Sequence, residues 1–175
     1  ADQRRAEAAK IPDLEVTSLS FKKVPQFEND VILLFGELIG RGLIRGFEIL
    51  SASSGSQYDA VVTYRFTKDR DRLVYEAKAN PLGIPKSNLG KLDLVLKNME
   101  FKVSLSDLLA DFEAETKSPH HVSFSVVWDT GALGESGYEL IDLMPPGAES
   151  HRLFHSQTHK LSMESGDIPV VMLSS

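Results

Sequence analysis

At 175 residues, with 42 % apolar and 25 % charged residues, the chain has the makeup of one globular domain and is short for two. No apolar run approaches the ~20 residues of a bilayer span, and the lack of cysteine excludes disulfides, thiolate zinc sites and cysteine nucleophiles. A net charge of −6 counts against a free-standing nucleic-acid binder, which usually carries a basic excess.

Residues 1–10, rich in Ala, Arg, Glu and Lys, read as the end of a charged helix or a frayed terminus, broken at Pro12-Asp13. The start has no Met and no signal-peptide shape, which suggests a piece of a longer intracellular protein, cytoplasmic or nuclear. Leu14 to Phe21 alternates loosely, as a short strand would. A cap at Asn29-Asp30 opens a helix over 30–42, with Val31, Ile32, Leu34, Phe35, Leu38 and Ile39 on a broad apolar face and Gly40 and Gly42 at its end. Glu37, on the polar stripe, is spaced to pair with Arg41. Strands follow at 42–52, 58–66 and 72–79, the last two as a hairpin, and then a Pro/Gly loop at 80–91.

The stretch from Leu92 to Phe112 organises the rest. Its strand ends in Glu100-Phe101-Lys102 and turns at once into a helix over 105–114, capped by Ser104 with Asp107 three residues on. Leu105, Leu108, Leu109 and Phe112 give that helix one apolar face. Val122 to Trp128 is an apolar strand, and so long a crossover implies that it pairs parallel with the strand before. Tyr138 to Leu143 is a short strand, 151–161 is ambiguous between helix and strand, and Pro169 to Leu173 is a last strand expected at the sheet edge. No repeat or linker intervenes. Residues 1–27 form an N-terminal extension with a lead-in strand, and residues 28–175 a single domain.

Glu100 and Lys102, two apart on a strand, point to one face beside a helix N-terminus. The tripeptide alone carries little weight: with thirteen Glu and eleven Lys about one is expected by chance, and Glu76-Ala77-Lys78 is another. Position separates them, because Glu100/Lys102 is followed by a helix and a core strand and Glu76/Lys78 by a loop. Asp59 supplies an acid on the preceding strand, with Asp93 as the fallback.

The order helix, strand, strand, hairpin arm, E-x-K strand, helix, strand, with Asp59 ahead of Glu100-x-Lys102, resembles the restriction-endonuclease-like PD-(D/E)xK nuclease superfamily over residues 28–130. The stretch D-V-I-L-L-F-G-E-L-I-G-R-G-L-I-R-G-F, then Q-Y-D-A-V-V-T-Y and E-F-K-V-S-L-S-D-L-L-A-D-F, also looks like nuclease-like domains appended to gyrase/histidine-kinase-type ATPases. The resemblance implies an α/β fold with a restriction-endonuclease-like core, a central mixed β-sheet flanked by helices. It implies catalytic Asp59, Glu100 and Lys102, and Mg²⁺ or Mn²⁺ held by Asp59, Glu100 and, from the first helix, Glu37. A hard ion of this kind takes oxygen ligands, polarises a phosphodiester and acidifies a bound water. Lysine would orient that water or stabilise developing charge. The implied function is hydrolysis of nucleic acid, DNA foremost, by one domain of a larger protein, with a homodimer as a further partner and no membrane. No Pro precedes Asp59, and the interval to Glu100 is long. The alternative is therefore an inactive module of the same fold, used for dimerisation or docking in a larger ATPase.

His151, His155 and His159 share a face on either a helix or a strand. A solvated polar face competes there with metal binding, since no Cys or acid completes a tetrahedral set. Trp128-Asp129, closing a core strand, fits packing better than chemistry. No nucleophile elbow, Walker A sequence or dinucleotide fingerprint occurs.

Overall fold

Alternation along a strand sends side chains to opposite faces of a sheet, and here a different helix covers each face. The computed structural model describes residues 2–16, 18–52, 60–65, 70–90, 96–134 and 137–175. Among them the helices are α1 (Asp2–Ala8), α2 (Glu28–Gly40), α3 (Arg70–Leu73) and α4 (Leu105–Glu113). The strands are β1 (Phe47–Ala52), β2 (Ala60–Tyr64), β3 (Leu96–Ser104), β4 (Phe124–Asp129), β5 (Tyr138–Asp142), β6 (His159–Met163) and β7 (Gly166–Met172). They form one mixed sheet in the order β1-β2-β3-β4-β7-β6-β5. β1 to β3 are an antiparallel meander, β3, β4 and β7 run parallel, and β6 and β5 return antiparallel.

Met99 and Phe101 of β3 and Phe124 and Val126 of β4 point to one face, where Val31 and Phe35 of α2 meet them. Phe47, Tyr64, Phe124 and Phe154 extend this core as a run of tilted ring contacts with centroids 4.9–5.1 Å apart. On the other face Leu105, Leu108 and Leu109 of α4 pack on Val127, Val170, Leu161 and Ile168. Glu100 and Lys102 alternate with Met99 and Phe101, so they fall on the α4 face.

The expected parallel pairing of the E-x-K strand with the next strand is present, with Glu100 opposite Ser125 and Lys102 opposite Val127. Ser104 caps α4, its Oγ accepting the Asp107 amide at 3.3 Å. Gly131 seals this end: with φ +65, a Cβ there would lie 2.8 Å from the Ser104 Cβ, so only glycine lets the loop after β4 close over the cap. α2 starts two residues earlier than the sequence suggests, because Asp30 reaches back to the amides of Gln26 (2.9 Å) and Phe27 (3.2 Å).

Four expectations need correction. The described residues of 14–21 form no strand, only an isolated bridge between Asp13 and Lys23 nearby. The arm at 72–79 is not a strand either: α3 occupies 70–73, and Glu76 Oε2 accepts the amides of Lys78 (3.0 Å) and Ala79, folding the rest into a turn. The last strand is not at the edge but lies between β4 and β6, because its parallel ladder with β4 begins at Val170, one residue beyond Pro169 and its missing N–H. Residues 151–161 are neither one helix nor one strand. A 3₁₀ turn (Ala148–His151), an irregular segment and the start of β6 share them.

Candidate functional site

Glu100 is fully buried at 0 % exposure, beneath α4. A carboxylate so placed must be paired or bound to something, because isolated charge is costly in a dry interior. One oxygen, Oε1, accepts from Lys117 Nζ and lies 3.9 Å from Lys102 Nζ. The other, Oε2, is buried without a hydrogen-bond partner.

Lys102 is the hub beside it. Its ammonium donates to Glu28 Oε1 at 2.9 Å and pairs with Asp111 Oδ2 at 2.9 Å. Burial alone would lower the Lys102 pKa, but the hydrogen bonds to Asp111 and Glu28 outweigh it and the net shift is upward. Lys102 is thus a fixed cation at neutral pH, suited to orient a water or stabilise negative charge and unsuited to act as a general base. Lys117 Nζ also lies 3.9 Å from Asp111 Oδ2. The five groups make a chain, Glu28–Lys102–Asp111–Lys117–Glu100, of three carboxylates and two ammonium groups.

Three parts of the chain position it. Glu28 stands in the first turn of α2, Asp111 near the end of α4, and Lys117 just beyond. The Asp111 carbonyl accepts the amides of Thr116 (3.1 Å) and Lys117 (3.4 Å) and the Thr116 hydroxyl (3.0 Å), which aims the Lys117 stem back under the helix. Glu115 takes a left-handed conformation (φ 57) to start that return.

The sequence pointed to Glu100 and Lys102, and the structure brings these two together. Glu37 is not with them. Its carboxylate accepts the amides of Ser20 and Phe21 (2.9 Å for the latter) and pairs with Arg41 at 3.1 Å. It stands nine residues beyond Glu28, about 13 Å along the helix axis. Asp59 and Asp93 lie outside the described residues; Ala60, next to Asp59, pairs with Met99, next to Glu100. Glu76 and Lys78 occupy the exposed turn described above. Sequence reasoning missed Glu28, Asp111 and Lys117. Asp111 flanks the apolar face of α4, three residues from Leu108, and Lys117 ends a further tripeptide, Glu115-Thr116-Lys117; both signals were legible.

The histidines separate. His151 is exposed, while His155 (1 %) and His159 (9 %) are buried. His155 Nδ1 accepts the Arg45 amide at 3.2 Å and its Nε2 meets Asn80 Oδ1 at 2.9 Å, which fixes the neutral Nε2–H tautomer. Burial, with help from Arg45, Arg152 and Arg72, pushes its pKa down to about 3. The expectation of a solvated histidine face is therefore incorrect for two of the three. Trp128 packs on the α2-side core, and Asp129 Oδ1 takes the Gly131 amide at 3.1 Å, as a packing role predicts.

No group of three or more His, Asp or Glu side chains among the described residues is arranged to hold a metal ion. Comparisons with family models, with curated proteins and with solved structures returned no match to this chain. No helix among the described residues is long and apolar enough to cross a membrane.

Proposed function

We propose that the β3–α4 junction is the active site of a divalent-metal-dependent nuclease of the restriction-endonuclease-like type, cutting phosphodiester bonds of nucleic acid, with DNA the first substrate to test. The observation that carries this reading is the unpartnered Glu100 Oε2, a hard oxygen donor left over in a buried carboxylate whose other oxygen faces Lys117 and Lys102. A donor of that chemistry fits Mg²⁺ or Mn²⁺. Glu100 would hold the ion together with Asp59, and Glu28 takes over the helix-borne acid role first given to Glu37. When bound, such an ion polarises the scissile phosphate and acidifies a water. Lys102, held by Glu28 and Asp111, is placed to stabilise the negative charge that develops on phosphate oxygens. The strand order of the meander and the parallel β3–β4–β7 segment agree with this fold type.

A second reading has its own support. The three carboxylates and two ammonium groups nearly balance, as they would in a structural cluster of an inactive docking module. One experiment separates the two. Plasmid and single-stranded DNA are incubated with Mg²⁺ or Mn²⁺ and the wild-type protein, Lys102→Ala or Glu100→Gln, each checked for folding by circular dichroism. The nuclease reading expects cutting by wild type and a loss of at least about 100-fold in either variant. No cutting together with no metal binding by calorimetry overturns it in favour of the docking module.

A further inference from the structure

A cavity of about 680 Å³ lies on the α2 side of the sheet and shares no residue with the charged cluster. Its apolar walls come from three places: Leu14 and Val16 of the segment before α2, Leu34 and Leu38 of α2 itself, and Trp128 and Leu173 at the ends of β4 and β7. A small organic molecule fills a space of that size, and apolar walls with a few polar groups are the usual lining of such a site.

The segment before α2 is clamped rather than collapsed onto the helix. The Leu14 amide donates to Lys22 O (2.8 Å) and the Val24 amide to Pro12 O (2.9 Å), while the Lys23 ammonium joins Asp13 at 2.7 Å and donates to Ile11 O at 3.2 Å. Glu37 of α2 takes the Ser20 and Phe21 amides at the far end. The wall is thus held before any ligand arrives, with Val16 left 55 % exposed. The charge here has one sign. Asp13 and Glu15, both exposed, are the only charged side chains among the described lining residues. Asp13 is taken by Lys23, whereas Glu15 makes no ion pair among the described residues.

We propose that this cavity binds a small lipophilic cation, an apolar body carrying one protonated amine, with the body against Leu34, Leu38 and Trp128 and the amine at Glu15. Binding removes from water both the apolar body and the walls that receive it. An anion of equal size gains the same burial but meets Asp13 and Glu15 as like charges, so the sign of the head group selects the ligand. Nothing in this site depends on Glu100 or on a metal.

Trp128, the single tryptophan of the chain, lines the cavity and reports its filling. The test titrates decylamine, protonated at pH 7 as a lysine is, into wild type, Glu15→Gln and Val16→Lys, with decanoate as the matched anion. Trp128 fluorescence and calorimetry are read in parallel. Glu15 and Val16 are exposed, so both variants keep the fold, which circular dichroism checks. Wild type should bind decylamine saturably and decanoate at least about tenfold more weakly. Glu15→Gln should weaken decylamine about threefold and narrow the gap to decanoate. Val16→Lys, which places a like charge beside the amine, should weaken decylamine at least about tenfold. No saturable binding of decylamine by either readout, or equal affinity for decylamine and decanoate, overturns the proposal. Decylamine affinity unchanged in both variants overturns it as well.

Discussion

Arg152 and Glu100 are both withdrawn from water, at 1 % and 0 % exposure, yet their surroundings differ in kind. Arg152 spends its guanidinium on backbone carbonyls: Nε on Gln157 O (2.8 Å), two bonds from one terminal nitrogen on Pro81 O (2.9 Å) and Gly83 O (3.0 Å), and the other terminal nitrogen on Leu143 O (3.0 Å). Around it Asn88 donates to Ser150 O and Arg152 O, and Asn80 to Arg72 O and Val74 O while meeting His155. Every donor nitrogen of these side chains has an acceptor within 3.1 Å, and several of the acceptors lie far away in sequence. Such an arrangement specifies where the chain goes. At Glu100 the partners are other charged side chains, and one oxygen is left over. A buried polar group that is fully used points to fold; one that is half used leaves a bond still to be made.

That contrast predicts opposite signs for stability. The largest effect belongs to Arg152→Met, which strands four carbonyls, three of them in fully buried hydrogen bonds, and should cost more than about 4 kcal/mol in urea unfolding. Arg152→Lys should not rescue it, since an ammonium lacks the planar fork. Equal stability of Arg152→Met and wild type would erase the distinction.

Next comes acid sensitivity of the same knot. The folded pKa of His155, about 3, lies below the ordinary value of 6.5. Between these values the unfolded chain binds the extra proton, so stability is full above about pH 6.5 and falls as the pH drops toward 3. His159, also pushed down by burial, adds in the same direction. His155→Gln should flatten the slope of the urea midpoint between pH 4.5 and 7 by a few kcal/mol in total; an unchanged slope would place the proton uptake elsewhere.

Smaller, and of reversed sign, is the change at the charged cluster. Replacing the Glu100–Lys117 pair together, as Glu100→Leu with Lys117→Met, should stabilise the fold by about 1–2 kcal/mol while abolishing Mn²⁺ binding. Destabilisation comparable to that of Arg152→Met would make the cluster a second structural knot. The smallest effect is local. Glu37→Ala frees the Ser20 and Phe21 amides, whose hydrogen exchange should quicken about tenfold with no shift in the global midpoint. Those amides hold the Glu37 pKa down, so the contact is kept above the ordinary carboxylate range and released as acid passes the folded value.

What the sequence made legible were features written in short-range pattern. The Ser104 cap, the Leu105/Leu108/Leu109 face and the shared face of Glu100 and Lys102 follow from spacing within a dozen residues, and the parallel crossover from the length of chain between β3 and β4. What it hid depends on contacts that spacing cannot carry. Glu28 meets Lys102 across 74 positions, and the turn at Glu76 is made by its own carboxylate gripping two amides, which no strand propensity registers. The segment after His151 follows Arg152, whose partners at 81 and 83 lie some 70 residues back. Glu37 had two options in the sequence, and its pairing with Arg41 is the one the helix register favoured from the outset.

The position of β7 has a consequence for the order of assembly. β4 is followed in the chain by the β5–β6 hairpin, yet it is β7, the seven residues Gly166–Met172, that joins the two. A chain emerging from the ribosome therefore presents two unfinished half-sheets. One ends at the open edge of β4, and the other is a hairpin with nothing to lean on. Neither edge can be satisfied until residue 172 is out, so the nascent protein passes through a stage in which Val126 and Val127 lie on a strand paired with β3 on one side and open on the other, a natural target for chaperone capture. The last strand works as a zip fastener: synthesis must pass Met172 before the sheet can shut.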